Sequence, residues 1–189
     1  MANQMEGILS GDHGFESSKK FLTTVEHPYS WMFLLAGAGL VSSLQSACAA
    51  PLIGLSIAGT GLFSRSKALF TTGVIWAINQ IVGFTFLHYP QTENTILWGF
   101  ILGVAMIGST YGAQRMLIYF SDSVDVMKLT LSFLFGFGVY EAILYIASFR
   151  LGGTNGFSMG ILSKVFITNA IVFFGLNLIH FNLKKFSQK

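Results

Sequence analysis

Four stretches of this chain, residues 68–87, 96–119, 129–149 and 161–181, are apolar almost throughout. Each reaches the roughly 20 residues that an α-helix needs to cross about 30 Å of hydrocarbon. In lipid a backbone must satisfy its own hydrogen bonds, so such runs commit the chain to helices. Two further apolar stretches precede them. Residues 31–48, WMFLLAGAGLVSSLQSAC, stop short of Pro51, and residues 51–63, PLIGLSIAGTGLF, are short for a crossing. The expected fold is all-α and integral to the membrane: a six-segment transmembrane helix bundle over 31–182, a cytoplasmic N-terminal arm over 1–30 and a basic cytoplasmic tail over 183–189. The second segment either spans or forms a re-entrant hairpin with the first. Either version returns the chain to the side on which it started.

Charge supports the count of six. Only 10% of the residues are charged, against about 25% in a soluble domain. Placing the N-terminus in the cytoplasm puts Lys19, Lys20, Arg65, Lys67, Arg115, Lys128, Lys184, Lys185 and Lys189 inside, and only Arg150 and Lys164 outside. Nine against two is the asymmetry of a positive-inside protein, and merging the first two segments reduces it to seven against four at best. A multi-pass protein of the cell (inner) membrane with both termini cytoplasmic is therefore expected. Tyr29 and Trp31 mark an inner edge, Tyr89 and Trp98 an outer one. The net charge of +3 lies at segment ends and forms no stripe suited to nucleic acid. The polar first thirty residues hold no apolar core of a cleaved leader, and FESSKKFLTTV within them fits a short helix lying on the membrane surface.

Several chemistries find no support. Cys48 is the only cysteine, which rules out an intrachain disulfide and a Cys-based metal site. His13, His27, His88 and His180 show no ligand spacing, so no metal site is expected. Residues 156–160, GFSMG, match a nucleophile elbow, but that motif needs a strand–turn–helix context. Here it precedes a membrane helix, where Ser158 fits an N-cap. With no acid pair and no Ser/His arrangement, no catalytic residue, cofactor or enzymatic activity is expected.

Glu141 is the acid that stands out, the only one inside a long apolar run. A carboxylate at bilayer depth costs about 2.5–3.5 kcal/mol on insertion scales, which makes it a functional candidate. At 1.5 Å per residue it lies roughly 12 Å below the outer end of its segment. Asn79, Gln80 and Asn169 fall at similar depth on two other segments, and Trp76 lies one turn deeper than Gln80. These polar groups either bond one another or line an outward-facing pocket for a small polar or aromatic solute. In such a pocket Glu141 balances a cationic group or accepts hydrogen bonds, the amides fix orientation, and Trp76, Tyr140 or Tyr145 stack on a ring. Lys164 enters nearer the outer surface, where it can reach down or snorkel up. The outer loops 88–95 and 150–160 border this site, and the Gly-rich second one suits a lid or a plain connection. Ser109, Thr110, Tyr111 and Gln114 in the inner half of the fourth segment suit packing.

Small residues recur every four positions in the first two segments: Gly39, Ser43 and Ala47; Ala38, Ser42 and Ser46; Ala50, Gly54 and Ala58. Such rows let helix backbones approach closely, within one bundle or onto a partner. Size, segment count, these rows, the outer polar layer and the stretch WAINQIVGFTFLHYP (76–90) followed by a Trp-headed helix make residues 31–182 similar to a substrate-binding membrane subunit, or S component, of energy-coupling-factor vitamin transporters. The resemblance implies capture of a vitamin-like solute from outside. It also implies docking of a small-residue face on a transmembrane coupling subunit driven by ATPase subunits, with toppling in the membrane to release the cargo. Gly39/Ser43/Ala47 is the nearest equivalent of that family's Ala-x-x-x-Ala motif, and Ala50/Gly54/Ala58 lies on the second segment. Solute capture is thus the expected function, with lipid, solute and coupling subunits as partners. A non-transporting accessory or assembly protein held by the same small-residue faces is the alternative.

Overall fold

A computed structural model describes residues 28–45 and 51–187. The described residues form six α-helices and no strand: α1 (Pro28–Gln45), α2 (Leu52–Leu62), α3 (Arg65–Ile81), α4 (Glu93–Tyr119), α5 (Asp125–Leu151) and α6 (Met159–Ser187). A π-helical turn, Val82–Phe86, extends α3, and a 3-10 turn, Thr154–Phe157, precedes α6. Four helices are long and apolar enough to cross a membrane: Arg65–Phe86, Glu93–Tyr119, Asp125–Leu151 and Met159–Asn182. They match the four long runs of the sequence to within one residue at the end of the first, with polar residues added at the ends. The N-terminal arm, the proposed surface helix, Ser46, Ala47, Cys48 and Ala50 lie outside the described residues. The helix of α6 continues to Ser187, into the stretch expected to be a tail.

Local chemistry sets the helix ends. Pro51 has no N–H to lose and stands at the N-cap of α2. At the other end of α2, Phe63 turns extended and donates its N–H to the Gly59 carbonyl. Thr92 caps α4 by accepting the Thr95 N–H, with Glu93 in the first turn where the helix dipole favours an acid. Gly152 and Gly153 have φ of 81° and 95°, which lets the chain leave α5 by a left-handed turn.

The interhelical register defines the topology. Gly39 packs on Ile75 and Ser43 on Asn79, so α1 and α3 run parallel. Thr72 meets Thr110, and Trp76 lies against Gly103 and Gln80 against Gly99, so α4 runs back along α3. Gly112 faces Phe135 and Gly108 faces Ile143, which sends α5 back along α4 in the most extensive seam of the bundle. Phe133 stacks on Phe173, and Phe137 meets Phe166, so α6 opposes α5. The start of α1 and the end of α6 therefore share one end of the bundle, called here the near end, with the 150–160 loop at the far end.

The second apolar stretch is the centre of the molecule. Every residue from Pro51 to Phe63 is buried, and α2 packs on all five other helices. At 11 residues it covers about 16 Å, roughly half of a hydrocarbon core. Its small residues admit the neighbours. Gly54 lies directly against the backbone of Asn169 on α6, and Gly59 against Leu35 on α1. Ile57 fills the space over Gly136 on α5. Ser56 and Thr60 return their hydroxyls to the carbonyls of Leu52 and Ile57 at 2.7 and 2.6 Å, so no hydroxyl proton is left bare.

This burial corrects the expected docking faces. Gly39, Ser43, Gly54 and Ala58 are buried inside the chain. Gly39 and Ser43 are taken by α3, and Gly54 by α6. The exposed face of α1 carries Phe33, Leu34, Leu40, Val41 and Leu44 instead. The rows serve close packing because only a residue without a bulky side chain lets five helices surround α2. The fourth segment follows the same logic: Ser109 donates to the Gly136 carbonyl at 2.7 Å, and Thr72 and Thr110 share a hydrogen bond at 3.0 Å. Gln114 is buried, and its Oε1 has no hydrogen-bond partner among the described residues.

A side chain at Gly54 would strike backbone, which cannot swing aside. Gly54→Leu is expected to cost well above the about 1–3 kcal/mol of ordinary overpacking. The expected readout is loss of the monodisperse peak in size-exclusion chromatography of detergent-purified protein. Gly37→Leu, at a position with nothing within 4 Å, should leave that peak intact.

Candidate functional site

Depth can be read from the register. Gly136 is level with Ser109 and Ile57. Counting outward from that level at 1.5 Å per residue, Asn169 (beside Gly54), Glu141 and Trp76 (beside Gly103) fall within about 5 Å of one another. Asn79 and Gln80 lie about one turn further toward the far end.

The expected single layer is therefore split, with Asn79 and Gln80 a turn away from the rest, and the groups also differ in direction. Asn79 is buried in the α1–α3 seam, where its Oδ1 accepts the Ser43 hydroxyl at 3.0 Å. Trp76 and Gln80 lie in the α3–α4 seam. The Trp76 indole Nε1 donates to the Gly99 carbonyl at 2.8 Å, and the Gln80 side chain lies over Gly99. Asn169 is buried in the α2–α6 seam. Its Oδ1 accepts the Gly54 N–H at 2.7 Å, and its Nδ2 donates to the Val165 carbonyl at 2.8 Å. The Asn169 side chain thus stands where a capping residue would, taking an N–H that the first turn of α2 leaves orphaned. Lys164 is on the exposed side of α6. No hydrogen bond joins any two of these residues. The single layer expected of them is resolved into separate helix-to-helix contacts.

Glu141 and its neighbour Tyr140 differ from the amides. Tyr140 belongs to the buried core and Glu141 is partly buried, yet neither makes a hydrogen bond or ion pair with a described residue. Phe137, Glu141 and Tyr145 are spaced by four, which places them on one face of α5. Phe137 meets the ring of Phe166 on α6 at 5.2 Å, and Tyr145 meets the ring of Phe157 in the 150–160 loop at 5.2 Å. On the face of α5 that carries Glu141, an aromatic contact to α6 thus lies one turn before it and an aromatic contact to the 150–160 loop one turn after it. The floor continues through Phe133, which stacks on Phe173 at 5.0 Å. The backbones of α5 and α6 meet sparsely, and these rings fill the space between them.

Phe137, Phe157 and Phe166 were not among the residues expected at the site. The i, i+4, i+8 spacing of Phe137, Glu141 and Tyr145 is visible in the chain, but it does not say which helix the face meets. The four-residue spacings Gly99/Gly103 and Gly108/Gly112 on α4 are a second signal present in the chain. They let α4 receive Trp76 and Gln80 on one side and α5 on the other. The described residues hold no cluster of His, Cys, Asp and Glu able to bind a metal ion. No family model, characterised protein or solved structure matches the chain.

Asn169→Leu removes the acceptor of a buried N–H. Its expected cost is about 1–3 kcal/mol, seen as a lower thermal unfolding midpoint in detergent. An unchanged midpoint would show that α2 does not depend on this cap.

Proposed function

We propose that this chain is a membrane transport protein that captures a small solute from the outer side, as the substrate-binding subunit of a multi-subunit transporter of the energy-coupling-factor kind. In this reading six segments cross or enter the membrane, with α1 and α2 forming a hairpin that goes in and returns. The near end, which carries Arg65, Arg115 and Lys128, is cytoplasmic by the positive-inside rule. The far end and its 150–160 loop face outward.

One observation carries the proposal: Glu141 lies inside a helix long and apolar enough to cross a membrane, with no described partner, one turn from a ring pair on either side. An acid left unpaired at this depth is costly, and such residues mark ligand or ion paths. A carboxylate among aromatic rings suits a solute with a cationic or hydrogen-bond-donating group on a flat apolar body, since rings attract cations through their faces. Tyr140 supplies a second hydrogen-bonding group beside it. Asn169 holds α6, which frames this site, while Asn79, Gln80 and Trp76 hold α1, α3 and α4 together behind it, and the 150–160 loop acts as a lid through Phe157. The accessory-protein alternative and the docking of a coupling subunit both drew on outward small-residue faces, of which Gly39, Ser43, Gly54 and Ala58 are buried, so a partner of either kind is assigned to another face. The transport reading is preferred because an acid with no described partner serves no packing role.

Native mass spectrometry of the full chain purified from its own membrane tests this, with retention of a small molecule expected. Glu141→Gln should fold normally and bind that molecule at least about tenfold more weakly, as expected when a hydrogen bond to a charged group is lost. Unchanged affinity in equilibrium dialysis would sink the assignment of Glu141.

A further inference from the structure

At the near end, away from Glu141, two guanidinium groups converge on one phenol. Arg65 opens α3, and Arg115 lies one turn before the end of α4. The Arg65 Cζ is 4.3 Å from the centroid of the Tyr111 ring and the Arg115 Cζ is 5.3 Å from it. Arg115 donates from Nε and Nη2 to the Tyr111 hydroxyl oxygen at 3.1 and 2.8 Å. Both arginines are exposed, and neither is ion-paired among the described residues. The nearby acids of this end are engaged elsewhere: Asp125 pairs with Lys128 at 2.6 Å, and Asp122 accepts the Ser121 hydroxyl. Two cations gathered on one ring repel each other, and an anion placed between them relieves that repulsion while accepting the remaining N–H donors.

The surface beside this pair argues for the kind of anion. Phe100, Val104 and Ile107 are exposed and, with Tyr111, follow a spacing of four, three and four along one face of α4. From Tyr111 to Phe100 this apolar stripe runs about 16 Å, roughly one leaflet of a 30 Å core. A cationic head site continuous with an apolar track one leaflet long matches a molecule with an anionic head and a long chain. Inorganic phosphate or an acidic peptide would use the cations and leave the stripe idle. We infer that Arg65, Tyr111 and Arg115 bind the phosphodiester headgroup of an anionic phospholipid, whose acyl chain lies along Ile107, Val104 and Phe100.

The test uses full-length protein in neutral detergent, incubated with equal amounts of phosphatidylglycerol and phosphatidylcholine of the same chains and read by native mass spectrometry. The wild-type chain should retain phosphatidylglycerol with a preference of about tenfold or more, given the roughly 1 kcal/mol that each cation contributes near an anionic surface. The Arg65→Gln/Arg115→Gln variant should lose that preference, and Arg150→Gln, at the far end, should keep it. Tyr111→Phe retains both cations and the ring but removes the oxygen that positions Arg115, so a preference reduced by several-fold is expected even if the double variant does not fold. Equal retention of the two lipids by the wild type would overturn the inference, as would a preference that survives in the double variant. Displacement of phosphatidylglycerol by millimolar inorganic phosphate would reassign the site to a free anion and overturn it as well.

Discussion

A helix that begins in the middle of an apolar bundle has N–H groups with no water to accept them. That constraint organises this protein around α2. The Gly54 N–H goes to the Asn169 side chain, and the same glycine lets the α6 backbone come into direct contact. One contact thus satisfies a polar group, sets the rotation of α6 about its axis and sets the register of α6 on α2. Leu35 against Gly59 and Ile57 over Gly136 do the same for α1 and α5 without polar groups. With apolar lipid outside, little is gained by hiding apolar surface, and close backbone approach has to hold the bundle together.

The interior polar residues divide according to this scheme. Those with a partner sit in seams: Ser43 with Asn79, Thr72 with Thr110, Ser109 with the Gly136 carbonyl, Trp76 with the Gly99 carbonyl. Each such bond contributes modestly, on the order of 0.6 kcal/mol in membrane proteins, but together they exclude alternative rotations of the helices. Glu141 stands outside the scheme. Its helix is already fixed by the α4 seam, and its own face looks toward rings rather than donors. A group that holds nothing in place is free to meet a solute, which is why the functional proposal rests on Glu141 rather than on the amides.

The two ends of the bundle are chemically different. Toward the far end, an acid lies between aromatic rings under a loop that two left-handed glycines allow to fold back. At the near end, exposed guanidiniums surround a tyrosine beside an apolar stripe. The proposed solute site and the proposed lipid site use different surfaces: the first lies between α5, α6 and the 150–160 loop, the second on the α3 and α4 faces that carry Arg65, Tyr111 and Arg115.

Much of this was legible in the chain. The four long helices lie where apolar length put them, and Pro51 separates the first two helices as expected. The similar depth of Asn169 and Glu141 also follows from counting, because rise per residue is a one-dimensional quantity that needs no knowledge of neighbours. Trp76, expected one turn deeper, instead lies level with them, and Asn79 and Gln80 lie about one turn further toward the far end. Direction is different. Whether Gly54 faces a partner subunit or Asn169, and whether Asn79 meets Glu141 or Ser43, depends on rotation about each helix axis. In an apolar solvent a uniformly apolar helix carries little amphipathic pattern to reveal that rotation. The sequence by itself determined where the four long apolar helices lie and roughly how far along its helix each polar group sits. Only the tertiary structure decided which of them meet, because the close approach of backbones around α2 selects the rotations.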